Sequence, residues 1–124
     1  YDQSEAANEA LKIAIQHAKA FDGKIYAITS LIGGAKDSID DNKHAEEGLE
    51  IAKNILDKEG ISCETHLLVR GLTSGEDIIK FATETEVDEI IIGIKKTSKV
   101  GKLVFGSTAQ HVILEATCPV ITIK

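Results

Sequence analysis

The sequence predicts an open α/β domain built on a parallel sheet. Three observations carry that reading. Short β-branched runs alternate with amphipathic helical stretches along all 124 residues. The most apolar run, Glu89 to Ile94 (EIIIGI), lacks polar alternation and so reads as a central strand buried on both faces. One helix separates each strand from the next, which implies right-handed crossovers and parallel pairing.

The elements follow in order. Ser4 is placed to cap a first helix whose apolar face is Ala7, Leu11, Ala14 and Ala18, and Asp22-Gly23 ends it. Lys24 to Leu31 (KIYAITSL) reads as a buried strand. Ile32 to Asn42 carries Gly33-Gly34 and several acids, so a surface loop is expected there. Ala45, Leu49, Ala52 and Leu56 mark a second helix, with Gly60 as its C-terminal stop. Ser62 to Val69 (SCETHLLV) reads as a strand nearer an edge, because its first half alternates. Gly71 opens a turn. Ser74 and Asp77 have the spacing of a capping box, and Ile78, Phe81 and Ala82 give a third helix its core face. After the EIIIGI strand comes a lysine-rich loop. Phe105, Ala109, Val112 and Ala116 then form a last helix, which Pro119 separates from a final strand, Val120 to Lys124. The first helix has no strand before it, whereas such units normally begin with one. Tyr1-Asp2 reads as the tail of a strand of about five to six residues, the usual strand length. A strand ahead of the first helix is therefore expected to be missing from this sequence.

Length and composition bound the function. The chain is the size of one domain, residues 1–124, and can bury a core without staples. Hydrophobic residues make up 43%, which argues against disorder. Aromatic residues are only 4%, too few for a base-stacking RNA or single-strand surface. A formal charge of −6 repels phosphate backbones at long range, so nucleic acid is not an expected partner. Two cysteines, Cys63 and Cys118, fit a reduced cytoplasmic protein with buried thiols. There is no signal-peptide pattern and no run long enough for a membrane span.

In open α/β sheets, ligands bind beyond the carboxyl ends of the strands. Three segments are expected there: Asp2-Gln3-Ser4, Arg70-Gly71, and the loop Gly93 to Ser107, followed by Thr108. Gly93 ends a buried strand, where a missing side chain lets a ligand reach backbone. Gly106, Ser107 and Thr108 lie at a helix start, whose free N–H groups and dipole favour a phosphate. Lys95, Lys96, Lys99 and Lys102 add local positive charge to an acidic protein. Together these describe an anion site, with a nucleotide phosphate as the candidate. The plain alternative is solvated lysines and a Gly-Ser helix cap.

These residues carry a resemblance. Asp2-Gln3-Ser4-Glu5, Val69-Arg70-Gly71 and the stretch IIIGIKKTSKVGKLVFGSTAQHVILEATCPVITIK are similar to the universal stress protein family over nearly the whole chain. The resemblance implies a Rossmann-like, five-stranded parallel sheet of order 3-2-1-4-5 with helices on both faces. It implies a homodimer through the last strand, residues 120–124, and a stress-response role with an unidentified protein partner. It also implies ATP, with magnesium, at a loop of pattern Gly-x2-Gly-x9-Gly-Ser/Thr. Gly93 matches the first glycine, and Gly106 and Ser107 match the last pair. Lys96 stands where the middle glycine belongs. A lysine costs about 1–2 kcal/mol in the left-handed conformation a glycine adopts freely. Its side chain either reaches the phosphate or closes the site. By the same analogy Asp2 lies near the ribose or a metal; otherwise it caps the first helix.

Other chemistry is weakly supported. His17, His44, His66 and His111 lack a second ligand at metal spacing. Ser107 lacks both a His–Asp pair and a Gly-x-Ser-x-Gly elbow. Walker and dinucleotide glycine motifs are absent. Three functions stay open: a nucleotide-binding regulatory protein with little or no turnover, a ligand-free dimeric module blocked by Lys96, and a nucleotide-activating ligase, which Asp2-Gln3-Ser4 does not equip.

Overall fold

In the computed structural model, residues 1–34, 38–94 and 106–124 are described. They run α1 (Glu5–Phe21), β1 (Ile25–Leu31), α2 (Ile39–Lys58), β2 (Cys63–Val69), α3 (Ser74–Thr85), β3 (Ile90–Gly93), α4 (Ser107–Glu115) and β4 (Val120–Ile123). Strand and helix alternate as the hydrophobic patterning requires. Both pairings are parallel. β1 lies beside β2, from Ile25 opposite Cys63 to Leu31 opposite Val69, and β3 lies beside β4, from Ile90 opposite Val120 to Gly93 opposite Ile123.

Among the described residues, β1 and β3 do not pair with each other, so the four strands form two two-stranded sheets. A cavity of about 570 Å³ runs between their facing edges, walled by α1 and α3. This corrects one expectation. Ile90, Ile91 and Ile92 are half-buried, not buried on both faces, because one edge of β3 borders that cavity.

The core proper lies between α1, α2 and β1. Leu11, Ala27, Leu49, Ala52 and Leu56 cluster there, with Ala52 and Leu56 fully shielded. Removing a side chain like Leu56 typically costs about 2–5 kcal/mol, so this cluster holds α2 on the sheet. Among the described residues, no helix is long and apolar enough to cross a membrane.

The helix starts show where local signals were misread. Ser4 caps α1 as expected, its Oγ accepting from the Ala7 N–H at 3.1 Å. α2 begins at Ile39, inside the stretch expected to be loop. Ser38 and Asp41 form a reciprocal capping box there, so the acids of that segment serve a helix start. The box on α3 sits one residue earlier than expected. Thr73 and Glu76 form it, which frees Ser74 and Asp77 for tertiary bonds. The two cysteines are half-buried, not buried.

Candidate functional site

The carboxyl ends of β1 and β3, the turn before α1 and the first turn of α4 meet at one end of the cavity. Tyr1, Asp2, Ser30, Ser74, Gly93, Gly106, Ser107 and Thr108 all line it. Of the residues expected to bind a ligand, the structure therefore brings Asp2, Gly93, Gly106, Ser107 and Thr108 together. Gly71 does not line this cavity. It sits exposed at φ +72°, and its N–H donates to the Ile32 oxygen at 3.1 Å, extending the β1–β2 pairing just past the strand ends. Lys95 and Lys96, with Lys99 and Lys102, lie outside the described residues.

Each lining residue has a local cause. Gly93 is there because α1 passes almost against β3. A Cβ at this position would lie 2.6 Å from the Ala6 carbonyl carbon and 2.8 Å from the Ala7 nitrogen. Close helix–strand packing therefore demands this glycine before any ligand does. Gly106 differs: its φ is −63°, and nothing lies within 4 Å of a Cβ built there. It is the N-cap of α4 and offers no side-chain acceptor, whereas Ser4, Ser38 and Thr73 cap the other helices with their hydroxyls. Gly106 and Ser107 are exposed, and with Thr108 they bring the first turn of α4 to the cavity without a side-chain cap. That is a place where negative charge is favoured.

Asp2 sits on a tight turn. Its Oδ1 accepts from the Ser4 N–H at 3.0 Å, so it does act as a cap while also lining the cavity. Gln3 between them has φ +66°, a conformation costing a residue with a Cβ about 1–2 kcal/mol. Gln3 falls in the expected segment Asp2-Gln3-Ser4 but does not line the cavity. Tyr1, Ser30 and Ser74 line it without having been named as site residues from the sequence. The Tyr1 backbone nitrogen donates to the Ile28 oxygen at 2.5 Å, and the Thr29 hydroxyl donates to the Tyr1 oxygen.

An ion pair between the shielded Asp77 and the exposed Arg70 braces the wall. Asp77 is fully shielded and takes the Arg70 Nε–H at 2.5 Å and the Ser30 hydroxyl at 3.3 Å. Arg70 also donates to the Asp77 carbonyl at 3.2 Å and to Glu84 at 3.1 Å. The Ser74 hydroxyl donates to the Ser30 oxygen at 3.2 Å. These bonds lock the start of α3 to the end of β1, where the cavity opens. Among the described residues no group of His, Cys, Asp and Glu could hold a metal ion.

With this geometry in view, the comparisons decide the family. The universal stress protein family profile matches residues 1–124. The chain belongs to the universal stress protein family. A universal stress protein from Methanocaldococcus jannaschii is 31% identical over 134 residues, covering 99% of this chain and 78% of the relative. Among solved structures, one from Archaeoglobus fulgidus is 43% identical with a TM-score of 0.93, covering 100% of this chain and 93% of that one. Another, from the same organism in complex with dAMP, is 39% identical with a TM-score of 0.86, covering 100% and 92%. The fold is thus the Rossmann-like α/β fold of universal stress proteins.

Proposed function

We propose that this universal stress protein binds an adenine nucleotide, ATP in particular, as a non-catalytic regulatory protein of the stress response. One observation carries the reading: the side-chain-uncapped start of α4 at Gly106-Ser107-Thr108, which lines the same cavity as Asp2 and the ends of β1 and β3. Phosphate takes the N–H groups and hydroxyls there, and Asp2 meets the ribose or its magnesium. The dAMP complex of a relative 39% identical supports the nucleotide class. Lys95 and Lys96 supply charge to the phosphates. A ligand that binds only the folded state at a hundred times its Kd adds about 2.7 kcal/mol of stability. The unfolding temperature measured with and without ATP and magnesium tests this. No shift at millimolar ATP favours the other reading, a ligand-free homodimeric module closed by Lys96.

The sheet reading completes the site. We infer that an extended segment fills the slot between β1 and β3, giving five parallel strands in the order β2, β1, inserted strand, β3, β4. Its support is the facing edges, the apolar lining and the strand-like bond from the Tyr1 nitrogen to Ile28. An apolar extension of about five to six residues ahead of Tyr1 is expected to raise the unfolding temperature, and an unchanged temperature removes the inference.

The homodimer reading rests on β4. Ile90 and Ile94 donate to the oxygens of Pro119 and Ile123, so the alternate position Thr122 faces outward. Leu114 on adjoining α4 is 78% exposed. Thr122→Pro should convert a dimer to a monomer in light scattering; a dimer that survives it uses another face.

A further inference from the structure

The turn that carries Asp2 is held from outside the site. Gln3 keeps its left-handed backbone while its side chain reaches across to α2. There its Nε2 donates to the His44 carbonyl at 3.1 Å and lies over the His44 ring, 3.3 and 3.5 Å from the two ring nitrogens. The carbonyl acceptor requires the amide nitrogen, not the oxygen, at this place.

The seat for that side chain is Gly48. This glycine is buried in the middle of α2, where glycine is the poorest helix former after proline. A Cβ at position 48 would fall 2.8 Å from Gln3 Nε2, 3.0 Å from its Cγ and 3.1 Å from its Cδ. Gly48 therefore leaves a notch that the Gln3 side chain fills.

We propose that Gln3 and Gly48 are positioning residues for Asp2, a clamp by which α2 sets where the Asp2 carboxylate stands at the ligand site. The chain of contacts is short. The notch fixes Gln3, Gln3 fixes the turn, and the turn sets Asp2 on the Ser4 N–H at the cavity mouth. Release of the clamp lets the strained turn relax and moves Asp2 without touching the phosphate end at Gly106. This inference rests on the nucleotide reading above.

The test is calorimetric titration of ATP into the unsubstituted chain and into Gln3→Ala, Gly48→Ala, Asp2→Ala and the Asp2/Gln3 double variant. Gln3→Ala and Gly48→Ala are each expected to weaken binding about five- to tenfold. In the Asp2→Ala background, Gln3→Ala should change the affinity less than twofold, because residues that act through one group are not additive. A merely structural role would give additive losses, and that result overturns the clamp. Gln3→Ala should also shift the Ser4 amide resonance, which reports the bond to Asp2; an unmoved resonance overturns it too, even where affinities are too weak to cycle. Should Gly48→Ala fail to fold, Gln3→Ala carries both readouts. No binding by the unsubstituted chain sinks the nucleotide reading and the clamp with it. Normal binding with unaffected variants sinks the clamp alone.

Discussion

Gly93→Ala separates packing from ligand contact at the end of β3. The added methyl would lie 2.6 Å from the Ala6 carbonyl carbon, 2.7 Å from its oxygen and 2.8 Å from the Ala7 nitrogen. Favourable carbon contacts lie at about 3.5–4.0 Å, so the overlap is about 1 Å. All three neighbours are backbone in the first turn of α1, so no side chain can swing away. α1 cannot simply slide, since Ser4 caps its start and His17 meets Glu89, just before β3, at 2.6 Å. Overpacking of this kind costs about 1–3 kcal/mol. The unfolding entropy is about 2.1 cal/mol/K per residue, hence about 260 cal/mol/K for this chain, so each kcal/mol moves the midpoint about 4 °C. Gly93→Ala should therefore lower the unfolding temperature by about 4–12 °C. Thermal melts followed by circular dichroism, with and without ATP, measure it. The drop should be similar in both conditions. An unchanged melting temperature with lost nucleotide response would refute the packing argument and return Gly93 to a ligand role.

Three further outcomes are expected. Arg70→Ala leaves the shielded Asp77 carboxylate without its cation; a loss of stability is expected in urea denaturation, tempered because Arg70 itself is solvent-exposed, and an unchanged midpoint contradicts the ion-pair reading. Hydrogen bonds from Ser38 hold the Asp41 carboxyl below its ordinary pKa, and those from Thr73 do the same for Glu76. Their folded values are depressed, so their contribution is present above the ordinary carboxyl range near 4 and lost as pH falls through the lower folded values. Asp41→Asn with Glu76→Gln should thus flatten the loss of stability between neutral and acid pH, and an unaltered slope would show that the boxes do not matter there. Gly75→Ala would place a Cβ 2.8 Å from the His111 Cβ. Since this contact sets the approach of α3 to α4, a loss of about 1–3 kcal/mol is expected, and a neutral effect in the same denaturation assay counts against it.

Much of this was legible in the sequence because it depends on period and punctuation. All eight elements were marked by apolar spacing, and Ser4, Asp22-Gly23 and Pro119 stand where the breaks occur. The errors came where one residue type serves two purposes. Thr73/Glu76 and Ser74/Asp77 share the same spacing, and only the fold shows that Arg70 claims Asp77. The acids near Asp41 looked like a loop because a capping box and a polar turn have similar composition. The site was partly legible: Asp2, Gly93, Gly106, Ser107 and Thr108 converge as expected, while Gly71 lies outside the cavity. The close approach of α1 to Gly93 and the Gln3 notch on Gly48 join residues far apart in sequence. No local pattern encodes such contacts.

The slot between β1 and β3 has a consequence for cooperativity. Among the described residues α1 and α3 contact elements of both halves, and in the five-strand reading the inserted segment carries the backbone ladder across. The pairing of that segment then decides whether the two halves open together or with their own free energies. Amide exchange should show β1, β2, β3 and β4 protected to one degree when the added extension is present, and to two when it is absent. Asp2 lies on one side of the slot and Gly106 on the other. A molecule bound across the mouth would tie two separately opening units into one.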